Sequence, residues 1–230
     1  MSRPKLRRAQ VAVVVALLVS GLVSGCAGAR PGVAAQVGDQ VITLTAVDQA
    51  TEDLCQVFLP QIKDAGQSYP LGAIRAIAVQ TMTTRELASQ VARAYGVKPT
   101  KEYDMQYAGQ KQAALQLDEN LRSTFLELST AATYAESIQQ QVGLIALKAD
   151  GATSPTVDDQ MARGKQIFTE WADKEGVELD PRFGLGMIDG AVTPTDTQVS
   201  TAVSAAALAG AKEQMDPAEV AALPADQRCG

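Results

Sequence analysis

The 230-residue chain contains no histidine. This excludes Ser-His-Asp and Cys-His nucleophilic machinery and the commonest zinc ligand sets, and it removes the general acid/base most used near neutral pH. Aromatic residues make up only 4% of the chain, with a single tryptophan, so a strong aromatic cradle for ligands is not expected. No basic cluster with interleaved aromatics is present, and acidic residues outnumber basic ones by 26 to 20. Such a surface repels phosphate backbones, which argues against nucleic-acid binding. Carboxylate-only chemistry has three places to start: Glu52-Asp53, Asp118-Glu119 and Asp158-Asp159. Adjacent residues point to different faces of a helix, and none of the three pairs sits in a glycine-rich or aromatic setting, so all read as solvated helix faces. The segment Gly184-Leu185-Gly186-Met187-Ile188-Asp189-Gly190 has the outline of a dinucleotide loop, but Asp189 stands where the third glycine belongs. The expectation is a protein without catalysis, metal or cofactor.

What the chain does carry begins at its N-terminus. Arg3, Lys5, Arg7 and Arg8 form a basic region, Val11 to Val19 is an unbroken apolar run, and Val23-Ser24-Gly25-Cys26 follows at once. Small residues directly before a cysteine fit the lipobox of bacterial lipoproteins, so residues 1–25 read as a removed signal peptide and Cys26 as the lipidated first residue. The apolar run is short for a spanning helix, which needs roughly 20 residues. An uncleaved anchor and a plain secretory signal with an incidental cysteine are the competing readings. Removal of the signal leaves 16 basic residues against 26 acidic ones, a mature net charge of −10. Anionic headgroups are repelled by that charge, so membrane attachment falls to acyl chains (palmitate-type) on Cys26, worth about 0.8 kcal/mol per buried methylene. The expected address is the outer, extracytoplasmic face of the cell membrane.

Two cysteines remain. Cys55 falls in a helical segment and Cys229 is the penultimate residue. In an oxidising compartment an even remainder suggests a disulfide, and this one would pin the C-terminus to the core. The alternative is a buried free Cys55 and a loose terminal thiol.

Along the chain, residues 26–32 read as a tether. Gly38-Asp39 reads as a turn between two short β-prone runs, Ala35 to Val37 and Gln40 to Thr43. Thr45, with Asp48 three residues on, reads as the cap of a helix bearing Val47, Ala50, Leu54, Val57 and Phe58 until Pro60 and Gly66 interrupt it. Pro70 opens a second helix, whose face of Leu71, Ile74, Ile77, Ala78, Leu87, Val91 and Ala94 runs to Gly96. Thr100 and Asp118 are caps of further helices, and Asp150-Gly151 ends a long helical stretch through Tyr134, Ile138 and Leu147. Ser154-Pro155 starts a helix with a stripe of Val157, Met161, Ile167, Phe168 and Trp171, where Trp171 reads as a core anchor. Val177 to Gly184 alternates like a strand able to pair with the early hairpin. The Ala-, Ser- and Thr-rich run from Thr193 to Ala211 reads as a flexible extension, followed by a short helix opened by Asp216-Pro217. The fold class is therefore mainly α with a small β element.

The run Val37-Gly38-Asp39-Gln40-Val41-Ile42-Thr43 followed by Thr45, the helices behind it, and the late Val177-Glu178-Leu179-Asp180-Pro181-Arg182-Phe183-Gly184 resemble the SurA/PrsA-like N-terminal chaperone family. The likeness is to its short actinobacterial lipoprotein members that lack the parvulin domain, and it covers roughly residues 33–186. The resemblance implies one α-rich peptide-binding lobe, with an N-terminal hairpin pairing with a late C-terminal strand and residues 187–230 as a flexible extension. Only Asp150 to Ser154 separates the long helical region from the Trp171 helix, which leaves no room for an inserted prolyl isomerase domain.

The role it implies is holding unfolded or nascent secreted polypeptides at the membrane surface. An envelope scaffold or assembly lipoprotein that keeps the fold but binds one defined partner is the alternative. Soft and aromatic side chains adapt to varied peptides, which makes Met82, Tyr103, Met105, Tyr107 and Phe125 the candidate peptide-binding residues; core packing is the competing reading for each.

Overall fold

The computed structural model describes residues 30–195 and 216–230. Cys26, the signal segment and residues 196–215, which include most of the Ala/Ser/Thr-rich run, lie outside the described residues.

The described residues are mainly helical with small antiparallel sheet elements. Strands β1 (Val33–Val37) and β2 (Gln40–Thr43) form a hairpin closed by Gly38-Asp39. Gly38 has φ +55°, the positive value that a glycine-first two-residue turn requires. Helix α1 (Leu44–Asp64) starts two residues earlier than a cap at Thr45 would place it. The cap is Thr43, whose Oγ1 accepts from the Ala46 amide at 3.1 Å, because Thr43 is the last extended residue of β2. Pro60 is absorbed on the exposed side of α1 rather than ending it.

After the two-residue strand β3 (Tyr69–Pro70), helix α2 (Leu71–Tyr95) runs for 25 residues, about 37 Å. Then come α3 (Lys101–Ala114), α4 (Glu119–Ser129), α5 (Ala131–Ala149) and α6 (Val157–Glu175). Thr100 caps α3 as its position suggests, accepting from the Tyr103 amide at 3.3 Å. Helix α6 opens on Thr156 with a reciprocal capping box: Thr156 Oγ1 accepts from the Asp159 amide and the Thr156 amide donates to the Asp159 carboxylate. The hydroxyl and amide of Thr156 hold the Asp159 carboxyl below the ordinary value of 3.8.

Strand β4 (Val177–Leu179) pairs antiparallel with β1, Ala35 opposite Leu179 and Val37 opposite Val177, giving a sheet of order β2-β1-β4. The early hairpin and the late strand, 140 residues apart, are thus joined. Extended structure stops at Leu179, because Asp180 caps a 3₁₀ turn over Pro181–Phe183. The buried Asp180 carboxylate accepts from the Arg182 amide at 3.0 Å and pairs with the Arg182 guanidinium at 2.8 Å. Strands β5 (Leu185–Ile188) and β6 (Ala191–Pro194) then form a second hairpin, with Asp189 (φ 50°) and Gly190 (φ 73°) at its turn. Residues 187–194, read from sequence as the start of the extension, therefore belong to the folded body. The described C-terminus consists of the five-residue α7 (Pro217–Ala221), capped by Asp216, and β7 (Arg228–Cys229), which pairs with β3. Cys55 and Cys229 are joined by a disulfide.

The core has two parts, and α2 supplies both. Its first half packs Ile74, Ala78 and Val79 with Ala35, Ile42, Val47, Leu54, Ile62, Leu185, Val192 and Cys229. Its second half packs Leu87, Ala88 and Val91 with Val37, Ile138, Val142, Ile167, Phe168 and Ala172. Trp171 is partly buried against this second part, edge-on to Tyr95 with ring centroids 6.5 Å apart, in keeping with an anchoring role. Helices α5 and α6 cross at Gly143 and Gly164. A Cβ built on Gly143 would lie 1.8 Å from the Gln160 carbonyl oxygen, and one on Gly164 2.0 Å from that of Gln139. Backbone touches backbone there, which only glycine permits.

Candidate functional site

An apolar groove of about 390 Å³ lies between α1, α2 and α4. Helix α1 lines it with Leu54, Phe58, Gln61 and Ile62, which recur at i, i+4, i+7 and i+8 and so share one face. Helix α2 adds Ile74, Ile77 and Thr81, again on one face, and α4 adds Phe125, Leu128 and Ser129. Tyr69 of β3 and Gln67 before it close one end, with the Tyr69 hydroxyl 3.2 Å from Gln67 Oε1. Leu54, Ile62 and Ile74 form the buried floor, while Phe58, Tyr69 and Ile77 keep 42%, 46% and 54% of their surface exposed. None of the lining side chains is charged at neutral pH.

Three large apolar side chains left wet on one groove are a larger liability than scattered single exposures, which any surface tolerates.

The position of α4 over this groove is set by a buried carboxylate. Asp53 is buried, accepts from the Thr124 hydroxyl of α4 at 2.6 Å, and accepts from the Gln49 amide at 2.8 Å. Asp53 therefore does not belong to a solvated face. Its helix neighbours Leu54 and Thr51 turn the same stretch of α1 inward, and the Gln49 amide together with the Thr124 hydroxyl, 71 residues away, makes a carboxylate tolerable there. Across the other side of α1, Asp48 pairs with Arg75 of α2 at 2.9 Å. Among the described residues no cluster of three or more metal-ligating side chains is present, and no helix is long and apolar enough to cross a membrane.

The five residues singled out from sequence are dispersed. Phe125 lines the groove. Met82, one residue past groove-lining Thr81, turns into a separate shallow hollow of about 170 Å³ beside Val41, Arg85 and Glu127. Tyr103 is buried, its ring 5.5 Å from Tyr134, so it packs α3 onto α5, and Tyr107 stacks on it within α3 at 5.9 Å. Met105 stands 69% exposed on α3, away from the groove lining. Phe58, Ile77 and Tyr69 are the groove residues that sequence reasoning passed over. Phe58 and Ile77 lie within apolar helical stripes, where periodicity alone does not distinguish a side chain facing a core from one facing an open cleft. Comparison with protein-family models, with curated proteins and with solved structures gave no match to this chain.

Proposed function

We propose that this protein binds extended or partly folded secreted polypeptides in the groove between α1, α2 and α4, as a lipid-anchored, chaperone-like protein without catalysis. The observation that carries the reading is the groove itself: uncharged along its lining, floored by core residues, and rimmed by the exposed Phe58, Tyr69 and Ile77. Its volume falls within the range of pre-formed ligand clefts, roughly 300–1,000 Å³. A neutral apolar lining with polar amides and hydroxyls at Gln61, Gln67, Tyr69, Thr81 and Ser129 suits apolar side chains of many sequences rather than one charged ligand. The pairing of the early hairpin with β4 is the arrangement that the SurA/PrsA-like resemblance implies, and it supports the same assignment.

Attachment through Cys26 fits this geometry. Arg30 is already held at the sheet, where its guanidinium bonds Gln36 and pairs with Glu178 at 3.5 Å. Four residues of chain from Cys26 to Arg30 span at most about 14 Å, so the sheet end of the body is kept close to the membrane. The groove begins at Leu54, ten residues from the sheet end of α1, or about 15 Å along the helix axis. A polypeptide emerging into the extracytoplasmic space would meet the groove on the part of α1 distant from the anchor.

The binding reading is tested by light scattering from a denatured secreted protein diluted into buffer with and without the purified protein. Suppression at near-stoichiometric ratio is expected, and Phe58→Asp with Ile77→Asp should weaken it about tenfold or more while leaving the melting temperature within a few degrees, since both side chains are already half exposed. Suppression unchanged in the double variant would remove the groove from the mechanism, and no suppression with any client would favour the envelope scaffold with one defined partner. The anchor is tested separately by metabolic labelling with a fatty-acid probe, which should mark the wild-type protein and miss Cys26→Ser. Equal labelling of both would sink the lipoprotein assignment.

A further inference from the structure

We propose that the Cys55–Cys229 disulfide is a redox latch on the groove: its reduction frees the C-terminal strap of residues 216–230 and loosens the groove wall against which the strap is held. In its consequence for polypeptide binding this rests on the proposed function; the latch itself rests on geometry alone.

The strap touches the body where the groove wall stands. Cys229 is buried in the first part of the core and bonded to Cys55, one residue beyond groove-lining Leu54. Its strand β7 pairs with β3, setting Cys229 opposite Tyr69, the residue that closes one end of the groove. The Ser68 hydroxyl donates to the Gly230 carbonyl at 3.2 Å. Gly230 lies so close to the wall that a Cβ there would fall 2.4 Å from Ile62 Cγ2 and 2.9 Å from the Gln67 carbonyl oxygen. Ile62, Gln67 and Tyr69 are thus supported from behind by the last two residues of the chain.

Little else holds residues 228–230. A two-residue antiparallel pair is marginal on its own, since even isolated hairpins barely persist in water. Here one of the two β3 residues is Pro70, which has no amide hydrogen to donate. The hydrogen bond from Arg228 to the Ala221 carbonyl lies within the strap and ties nothing to the body. Apart from Cys229, Val220 is the strap's one buried side chain. The covalent bond therefore decides whether residues 228–230 stay docked.

Reduction needs a dithiol reductant. One of its thiolates attacks Sγ of the partly exposed Cys55, the protein S–S bond breaks, and a mixed disulfide forms with release of the Cys229 thiolate. The second reductant thiolate displaces the other protein sulfur. Two electrons pass to the protein, its two thiolates take up the two protons, and the reductant leaves as its own disulfide.

The test is hydrogen exchange on the purified full chain in three states: oxidised, reduced by dithiothreitol, and Cys229→Ser. Residues 58–71 and 216–230 are expected to exchange at least about tenfold faster in the reduced protein and in the variant within the first minutes, while residues 135–142 and 164–172 in the second part of the core stay protected. Unchanged exchange in the strap, or a loosened strap with an unchanged wall over 58–71, would overturn the latch. Equal early loss in the second part of the core would also overturn it, because the bond would then be a global staple. Binding of a carboxymethylated, permanently unfolded protein, which has no free thiols, is measured in parallel in all three states. A loosened wall with no client bound in any state leaves the latch standing and removes the polypeptide-binding reading instead.

Discussion

Gly164→Ala is expected to lower stability by about 3 kcal/mol and the melting temperature by roughly 6–12 °C, and Gly143→Ala to do the same. In an open helix the exchange would act the other way, since alanine gains about 1 kcal/mol over glycine. The sign is reversed by the crossing of α5 and α6. A methyl group at either position would sit about 2 Å from a carbonyl oxygen of the facing helix, and it would meet rigid main chain there rather than a side chain able to swing away. The helices would have to part, and Ile138, Val142, Ile167 and Phe168, all buried in the same seam, would lose contact together. Gly109→Ala is the internal control. Gly109 lies in the exposed interior of α3 with nothing within 4 Å of its would-be Cβ, so the variant should gain about 0.5–1 kcal/mol. Thermal denaturation of the three variants side by side checks the claim. Stabilisation at Gly143 or Gly164 would mean that the two backbones do not meet in solution.

Removing the disulfide in Cys55→Ser/Cys229→Ser should cost about 2–4 kcal/mol, a fall of roughly 5–15 °C in melting temperature. The bond joins residues 174 apart. For a loop of that length chain entropy alone predicts about 5 kcal/mol. The expected loss is smaller because the strap, once untied, regains freedom in the folded protein as well as in the unfolded one, so part of the entropic difference cancels. Denaturant titration of the oxidised, reduced and double-variant proteins separates the contributions. A loss at the full chain-entropy value would indicate that the strap remains docked without its bond, and a loss under 1 kcal/mol that it barely contributes when bonded.

Most of the helical architecture was legible from local chemistry. Thr100, Asp150-Gly151 and Asp216-Pro217 bound helices where they stand, and the alternation from Val177 marks the strand that pairs with β1. Where local reading went astray, the cause is specific. Thr45 and Thr43 are both good caps, and the choice falls on Thr43 because pairing of β2 with β1 holds it extended. The β5–β6 hairpin was readable and passed over: Asp189-Gly190 between alternating apolar residues is a strong two-residue turn signal, but the glycines around it drew attention to a phosphate loop instead. Asp53 looked solvated because its partner Thr124 is 71 residues away.

The groove was less legible than the fold. Phe125 could be named as a soft or aromatic candidate, yet of Tyr103 and Tyr107, chosen on the same grounds, Tyr103 is buried against Tyr134 and Tyr107 stacks on Tyr103. An apolar stripe on a helix specifies that a face wants cover; it does not specify whether a neighbour supplies it. Residue types and their spacing, acting over one or two turns, were enough to set most of the helices and the first hairpin, and the even cysteine remainder behind the signal segment was enough to suggest the Cys55–Cys229 pairing. Which stripes are covered, which glycines touch, and which apolar side chains are left to line an open cleft were decided by contacts between separate elements, such as Gly143 against Gln160 and Asp53 against Thr124. Those contacts depend on how whole helices cross, and helix crossing is determined by shape complementarity across the assembled core rather than by any short stretch of chain.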